Sequence, residues 1–229
     1  MKHPSRRMWE TFARSPFNYF LAIVVGMILV SPFFPPYGSK DTFPMAPLIY
    51  TIGVILMLRV LVRHTKKFVL FSSLYVAIFI MDIVLQAWSG WGEAADLVGD
   101  VLHIVVLALF LRELLALLFE ARQVTMDSIK GGIAIYFLMG LLWGLLYRVA
   151  FFFDAGAFLF HTPGRENLFY FSYTTLTTLG YGDIVPANRI TEMLAAMESI
   201  VGQVFLAVFM ARLLGVHISQ EWSGQGGPE

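Results

Sequence analysis

Six apolar runs, at about 17–34, 45–62, 67–88, 97–119, 130–153 and 190–215, take up more than half of the 229 residues. Each is long enough to cross a bilayer core as a helix, which takes about 20 residues. The rest of the composition agrees: 58% apolar residues, 14% charged residues and a mean hydropathy of +0.71. A soluble domain carries about 25% charged residues. These runs predict an all-α membrane protein with six transmembrane helices. The breaks carry turn chemistry, with Pro32, Pro35, Pro36 and Gly38 after the first run and Ser89, Gly90 and Gly92 after the third. The first run follows Lys2, Arg6, Arg7 and Arg14, a flank that also precedes a signal peptide. Its length and the absence of a small-x-small cleavage site predict a retained helix.

Charge sets the orientation. Sixteen basic residues balance sixteen acidic ones, and no basic stripe points to a nucleic-acid partner. With the N-terminus inside, the inner segments hold twelve Lys and Arg and the outer ones hold four, Lys40, Arg148, Arg165 and Arg189. The positive-inside rule then places both termini in the cytoplasm and segment 154–189 outside. A multi-pass protein of the cell membrane follows, in contact with the lipid bilayer. With no cysteine, disulfides and thiolate chemistry are excluded. No HExxH, no GxSxG and no pair of carboxylates on one helix face supports an enzyme.

Segment 154–189 is too long for a tight turn and too apolar for a solvated loop. It contains Thr174-Thr-Leu-Thr-Thr-Leu-Gly-Tyr-Gly-Asp183 between the last two apolar runs. Residues 166–177 read as a short helix of about 18 Å, half a membrane, entered through Pro163 and Gly164. Gly180 and Gly182 allow backbone conformations that L-residues avoid.

This stretch resembles the pore loop of potassium channels, whose filter reads Thr-Val-Gly-Tyr-Gly. The resemblance implies a re-entrant pore helix and selectivity filter between helices five and six, in which carbonyl rings replace the hydration shell of the ion. The ion-binding residues are then Thr178, Leu179, Gly180, Tyr181 and Gly182. K⁺ is held at the carbonyls of the first four and at the Thr178 hydroxyl. One loop cannot surround an ion, so a homotetramer is implied. Leu179 stands where the family usually has Val or Ile, which raises the alternative of a non-selective monovalent cation channel. Some relatives carry a carboxylate where this chain has Thr174, so Asp183 needs another donor, with the Tyr170 hydroxyl as candidate. The aromatic run Phe169, Tyr170, Phe171 and Tyr173 reads equally as packing around Tyr181 or against the neighbouring helices.

Gly202, twenty residues past Gly182, falls where such channels place a hinge glycine; its plainer reading is close helix packing. Gln203, Leu206 and Met210 share a face expected to line a cavity, with Met210 and Leu214 at a hydrophobic constriction. Glu198 is an intramembrane carboxylate, functional by default; it is expected to brace the filter through the hydroxyls of Ser172 and Thr175 rather than raise local K⁺ at the cavity, and its plainer reading is a protonated or hydrogen-bonded structural acid. Arg148 is expected to pair with Glu192. Asp82, Asp100 and His103, in the outer third of helices three and four, read either as a proton- or cation-sensitive cluster or, as expected here, as a helix-end polar patch touching headgroups.

Helix four carries only Arg112, too few charges for steep voltage dependence at about 2.3 kcal/mol per charge per 100 mV. The resulting division is a bundle over 1–122, a pore domain over 123–217 and a short flexible tail over 218–229. No cofactor is implied beyond K⁺ as permeant ion. A gating ligand, a lipid or a regulatory protein is left open as a partner. An uptake transporter with four pore loops in one chain is disfavoured, because this chain has one.

Overall fold

A long apolar segment satisfies its main-chain polar groups internally by turning helical, and the described parts of the apolar runs do so. The computed structural model describes residues 16–30, 92–120, 125–161 and 167–225, with scattered helical positions between 55 and 84. The elements are α1 (Pro16–Val30), α2 (Gly92–Glu120), α3 (Met126–Phe153), β1 (Phe158–Phe160), α4 (Leu168–Leu176), β2 (Ile184–Pro186) and α5 (Arg189–Gln225). Among the described residues, three helices are long and apolar enough to cross a membrane: Asp96–Glu120, Met126–Phe153 and Arg189–Ser219. The expected spans 45–62 and 67–88, the residue Asp82 and the turn at Pro163 and Gly164 lie largely or wholly outside the described residues.

The chain divides into two compact units, one of residues 1–95 and 125–134, the other of 96–124 and 135–229. The expected boundary near 122 separated the fourth apolar run from the pore segment. Most of α2 falls in the second of these units. The last helix continues to Gln225, so the region expected to be a flexible tail is helical over 218–225. At 37 residues, α5 spans about 55 Å, longer than a bilayer core of about 30 Å.

Segment 154–189 departs most from a purely helical fold. β1 and β2 pair antiparallel, with Leu159 opposite Val185. The pairing continues beyond the strands. The Ala187 N–H donates to the Ala157 carbonyl (2.8 Å) and the His161 N–H to the Asp183 carbonyl (2.9 Å). Asn188 caps α5 by accepting the Thr191 N–H at its Oδ1 (2.9 Å), as Asn does well at an N-cap. Its Nδ2 donates to Asp154 Oδ2 (2.7 Å), and the Thr191 hydroxyl donates to the Ala157 carbonyl (2.9 Å). The end of α3 is thereby tied to the start of α5.

Beneath this pair lies an aromatic core. Tyr147, Phe158 and Phe171 are buried together in edge-to-face contacts, with centroids 4.9 Å apart for Tyr147 and Phe171 and 5.3 Å for Phe158 and Phe171. Such geometry suits the ring quadrupoles. Phe151, Phe160 and Trp143 pack around it.

Phe171→Ala is expected to remove about 3 kcal/mol of stability, read as a lowered melting temperature of the purified protein in detergent. Phe153→Ala, at a side chain 73% exposed, is expected to change stability by less than about 0.5 kcal/mol.

Candidate functional site

The site is built around α4 and the strip that follows it. Asn167 starts α4, its side chain accepting the Tyr170 N–H (3.0 Å). The helix runs nine residues, shorter than the expected 166–177, and stops at Leu176. Its residues alternate between two helices. A Cβ at Gly140 would collide with the Tyr173 ring and one at Gly144 with the Phe169 ring. Two glycines four apart on α3 therefore seat two aromatics four apart on α4, a small-xxx-small surface used for close approach. Phe169 and Tyr173 pack on α3, and Phe171 enters the core beside Tyr147.

On the other side, Gly202 of α5 receives Leu176. A Cβ there would lie 2.8 Å from both the Leu176 Cδ1 and the Leu176 carbonyl oxygen. α5 runs unbroken through Gly202, which packs closely on Leu176.

The end of α4 is unusual. A helix leaves its last four carbonyls without intrahelical partners. Here each has one. The Tyr173 carbonyl accepts the Thr177 N–H (3.1 Å) and hydroxyl (2.6 Å). The Thr174 carbonyl accepts the Leu179 N–H (2.8 Å) and the Gly180 N–H (3.1 Å). The Thr175 carbonyl accepts the Thr178 N–H (2.9 Å) and the Ser199 hydroxyl (3.1 Å). The Leu176 carbonyl accepts the Tyr136 hydroxyl (2.9 Å). The bonds from Leu179 and Thr178 form a Schellman ending, which requires a left-handed residue just past the helix and usually employs glycine. Thr178 fills that place at φ +59°. A β-branched residue there is strained by about 1–3 kcal/mol. Gly180 and Gly182 follow at φ +53° and +77°; Leu179 and Tyr181 between them stay at negative φ. Residues 177–182 are exposed, Leu179 to 54% and Tyr181 to 68%.

Glu198 is fully buried. Tyr147 donates its hydroxyl to Oε2 (2.5 Å). The Ser172 Oγ stands 2.5 Å from Oε1 and 2.7 Å from the Gly140 carbonyl. A buried carboxylate thus joins α3, α4 and α5, as buried polar groups require partners. The expected contact between Glu198 and Ser172 is present. At Thr175 it is the main-chain carbonyl that meets α5, accepting the Ser199 hydroxyl.

The remaining candidates divide. Thr174 is buried, its hydroxyl donating to the Phe171 carbonyl (2.9 Å). Asp183, half-buried, is held through its main chain by His161. Tyr170 is half-buried near the start of α4. Gln203, Leu206, Met210 and Leu214 are all exposed along α5. Arg148 pairs with Asp100 (Nε to Oδ2, 3.2 Å), in place of the expected Glu192, and His103 Nδ1 meets the Gly99 carbonyl (2.7 Å). The expected polar patch at Asp100 and His103 therefore resolves into a tie between α2 and α3 and a bond within α2. Sequence reasoning passed over Tyr136, Tyr147 and Ser199. The first two had no signal beyond a polar tip in an apolar run; Ser199 adjoins Glu198.

Tyr147→Phe and Ser172→Ala each leave part of a buried carboxylate without a donor, an expected loss of about 1–3 kcal/mol in thermal or denaturant stability. Combined with Glu198→Leu, the losses are expected to be non-additive, the sign of one shared network. Gly202→Ala, which forces a methyl against a carbonyl, is expected to cost about 1–3 kcal/mol.

No curated protein matches the chain, and no solved structure does. Residues 134–217 match the family model described as ion channel. That stretch holds α4, the 178–182 strip, Glu198 and nearly all of their partners. Segment 134–217 is thus similar to an ion channel domain.

Proposed function

We propose that the chain is one subunit of a homotetrameric potassium-selective channel, with residues 178–182 as the filter. The observation that carries this is the alternation of backbone hand along the strip: positive φ at Thr178, Gly180 and Gly182, negative φ at the residues between. Alternating left- and right-handed residues turn successive peptide planes the same way, so that carbonyls gather on one edge of the strand. Four such edges around an axis give stacked rings of neutral oxygens, suited to a weakly hydrated monovalent cation. The ligands are the carbonyls of Thr178, Leu179, Gly180 and Tyr181 and the Thr178 hydroxyl.

One strip cannot enclose an ion, and its exposure in a single chain fits a surface completed by other copies. The same holds for α5. Its buried positions, Thr191, Glu198, Gly202, Phe205 and Phe209, form one stripe, while Met193, Met197, Ile200, Val204, Leu206, Val208, Met210 and Leu214 stay exposed. In the tetramer Gln203, Leu206 and Met210 line the cavity, and Met210 with Leu214 closes it by dewetting. Tyr170, Thr174, Asp183 and Glu198 support the filter from behind. Six spans with both termini cytoplasmic complete the subunit. With Arg112 the lone basic residue of α2, gating is at most weakly voltage-dependent.

The test is potassium efflux from K⁺-loaded liposomes containing the purified protein. The wild type is expected to discharge the vesicles. Gly180→Asp, which puts a side chain and a charge at φ +53°, is expected to abolish efflux. In a K⁺/Na⁺ gradient the reversal potential is expected near the potassium equilibrium value. Equal leakage by both proteins would place conduction elsewhere, and a reversal potential near zero would make the pore non-selective.

A further inference from the structure

The strain at Thr178 needs a source of restraint, and the end of α4 supplies it in an uneven way. Three of the four terminal carbonyls are met by the main chain that follows them. Leu176 is the exception. In a continuing helix its carbonyl would take the Gly180 N–H, but that N–H is diverted to Thr174 (3.1 Å). The Leu176 oxygen instead accepts from the Tyr136 hydroxyl, forty residues upstream on α3, at 2.9 Å. The Tyr136 ring is itself fixed, stacked on Phe205 with centroids 6.1 Å apart, and Phe205 stacks on Phe209 at 5.7 Å. One residue earlier, the Thr175 carbonyl that takes the Thr178 N–H also takes the Ser199 hydroxyl from α5.

We infer that Tyr136 and Ser199 are positioning residues for the base of the filter. Their hydroxyls grip the Leu176 and Thr175 carbonyls from two different helices and so hold Thr178 in its left-handed conformation. A strained residue persists only where its surroundings over-determine it, and these two donors are the part of the surroundings that the 174–182 backbone does not provide for itself. The inference rests on the filter assignment above. It also gives α5 a route to the filter: displacement at Phe205 moves the Tyr136 ring, and with it the donor on Leu176.

Barium, a divalent ion of nearly potassium's size, probes the same oxygens. Full-length protein in K⁺-loaded liposomes is titrated with Ba²⁺ on both faces. The half-blocking concentration is expected to rise about 3- to 10-fold in Tyr136→Phe and in Ser199→Ala, the range one neutral hydrogen bond carries. Ser199→Thr keeps the hydroxyl and is expected to block like the wild type. Damage to folding alone would lower total efflux and leave the half-blocking concentration in place. A conducting wild type whose two hydroxyl-less variants block at its own barium concentration would overturn the inference and spare the filter assignment, as would Ser199→Thr behaving like Ser199→Ala. A wild type that passes no potassium would overturn both.

Discussion

Main chain that leaves helical geometry among apolar side chains must find its own hydrogen-bond partners, because bilayer and protein core offer no water in exchange. The stretch between α3 and α5 meets this demand at almost every described step. Its first and last parts zip together as β1 and β2, and the zipper is extended by Ala157 with Ala187 and by His161 with Asp183. Its middle is α4, whose terminal carbonyls are all engaged. The 178–182 strip can afford an irregular backbone because what lies on either side is satisfied.

The same demand explains how α4 is held. A nine-residue helix has little stability of its own, so tertiary contacts must fix it. Gly140 and Gly144 on α3 and Gly202 on α5 remove the side chains that would keep it at a distance. Glu198 then ties all three helices through Tyr147 and Ser172. Close approach and a shared carboxylate act together: hydrogen bonds of this length need the backbones near one another, and the glycines allow that.

Much of this was legible in the sequence, though unevenly. The apolar runs fixed α1, α2, α3 and α5 to within a few residues at most ends, and the spacing of Gly180 and Gly182 anticipated their positive φ. Glu198 drew attention as a charge in an apolar run, and Ser172 followed from its place on the preceding helix. The strands escaped because three residues are too few to show alternation. Tyr147 and Tyr136 escaped because their partners lie 51 and 40 residues away, a separation no local pattern encodes. The sequence suggests Glu192 as the partner of Arg148, whereas packing between α2 and α3 brings it Asp100. Thr178 is the sharpest case. Local preference argues against a left-handed threonine, and tertiary bonding overrides it.

The two ends of α2 carry a mechanical implication. Near its start, Asp100 is bound to Arg148 of α3. At its end, the Phe119 carbonyl accepts from Arg212 of α5 (3.3 Å), whose guanidinium also lies over the Phe119 ring. A rod fastened at both extremities to different neighbours cannot slide lengthwise by a helical turn, about 5.4 Å, without breaking both fastenings. Any push along its axis is therefore delivered to α3 and α5 together, as load rather than slippage.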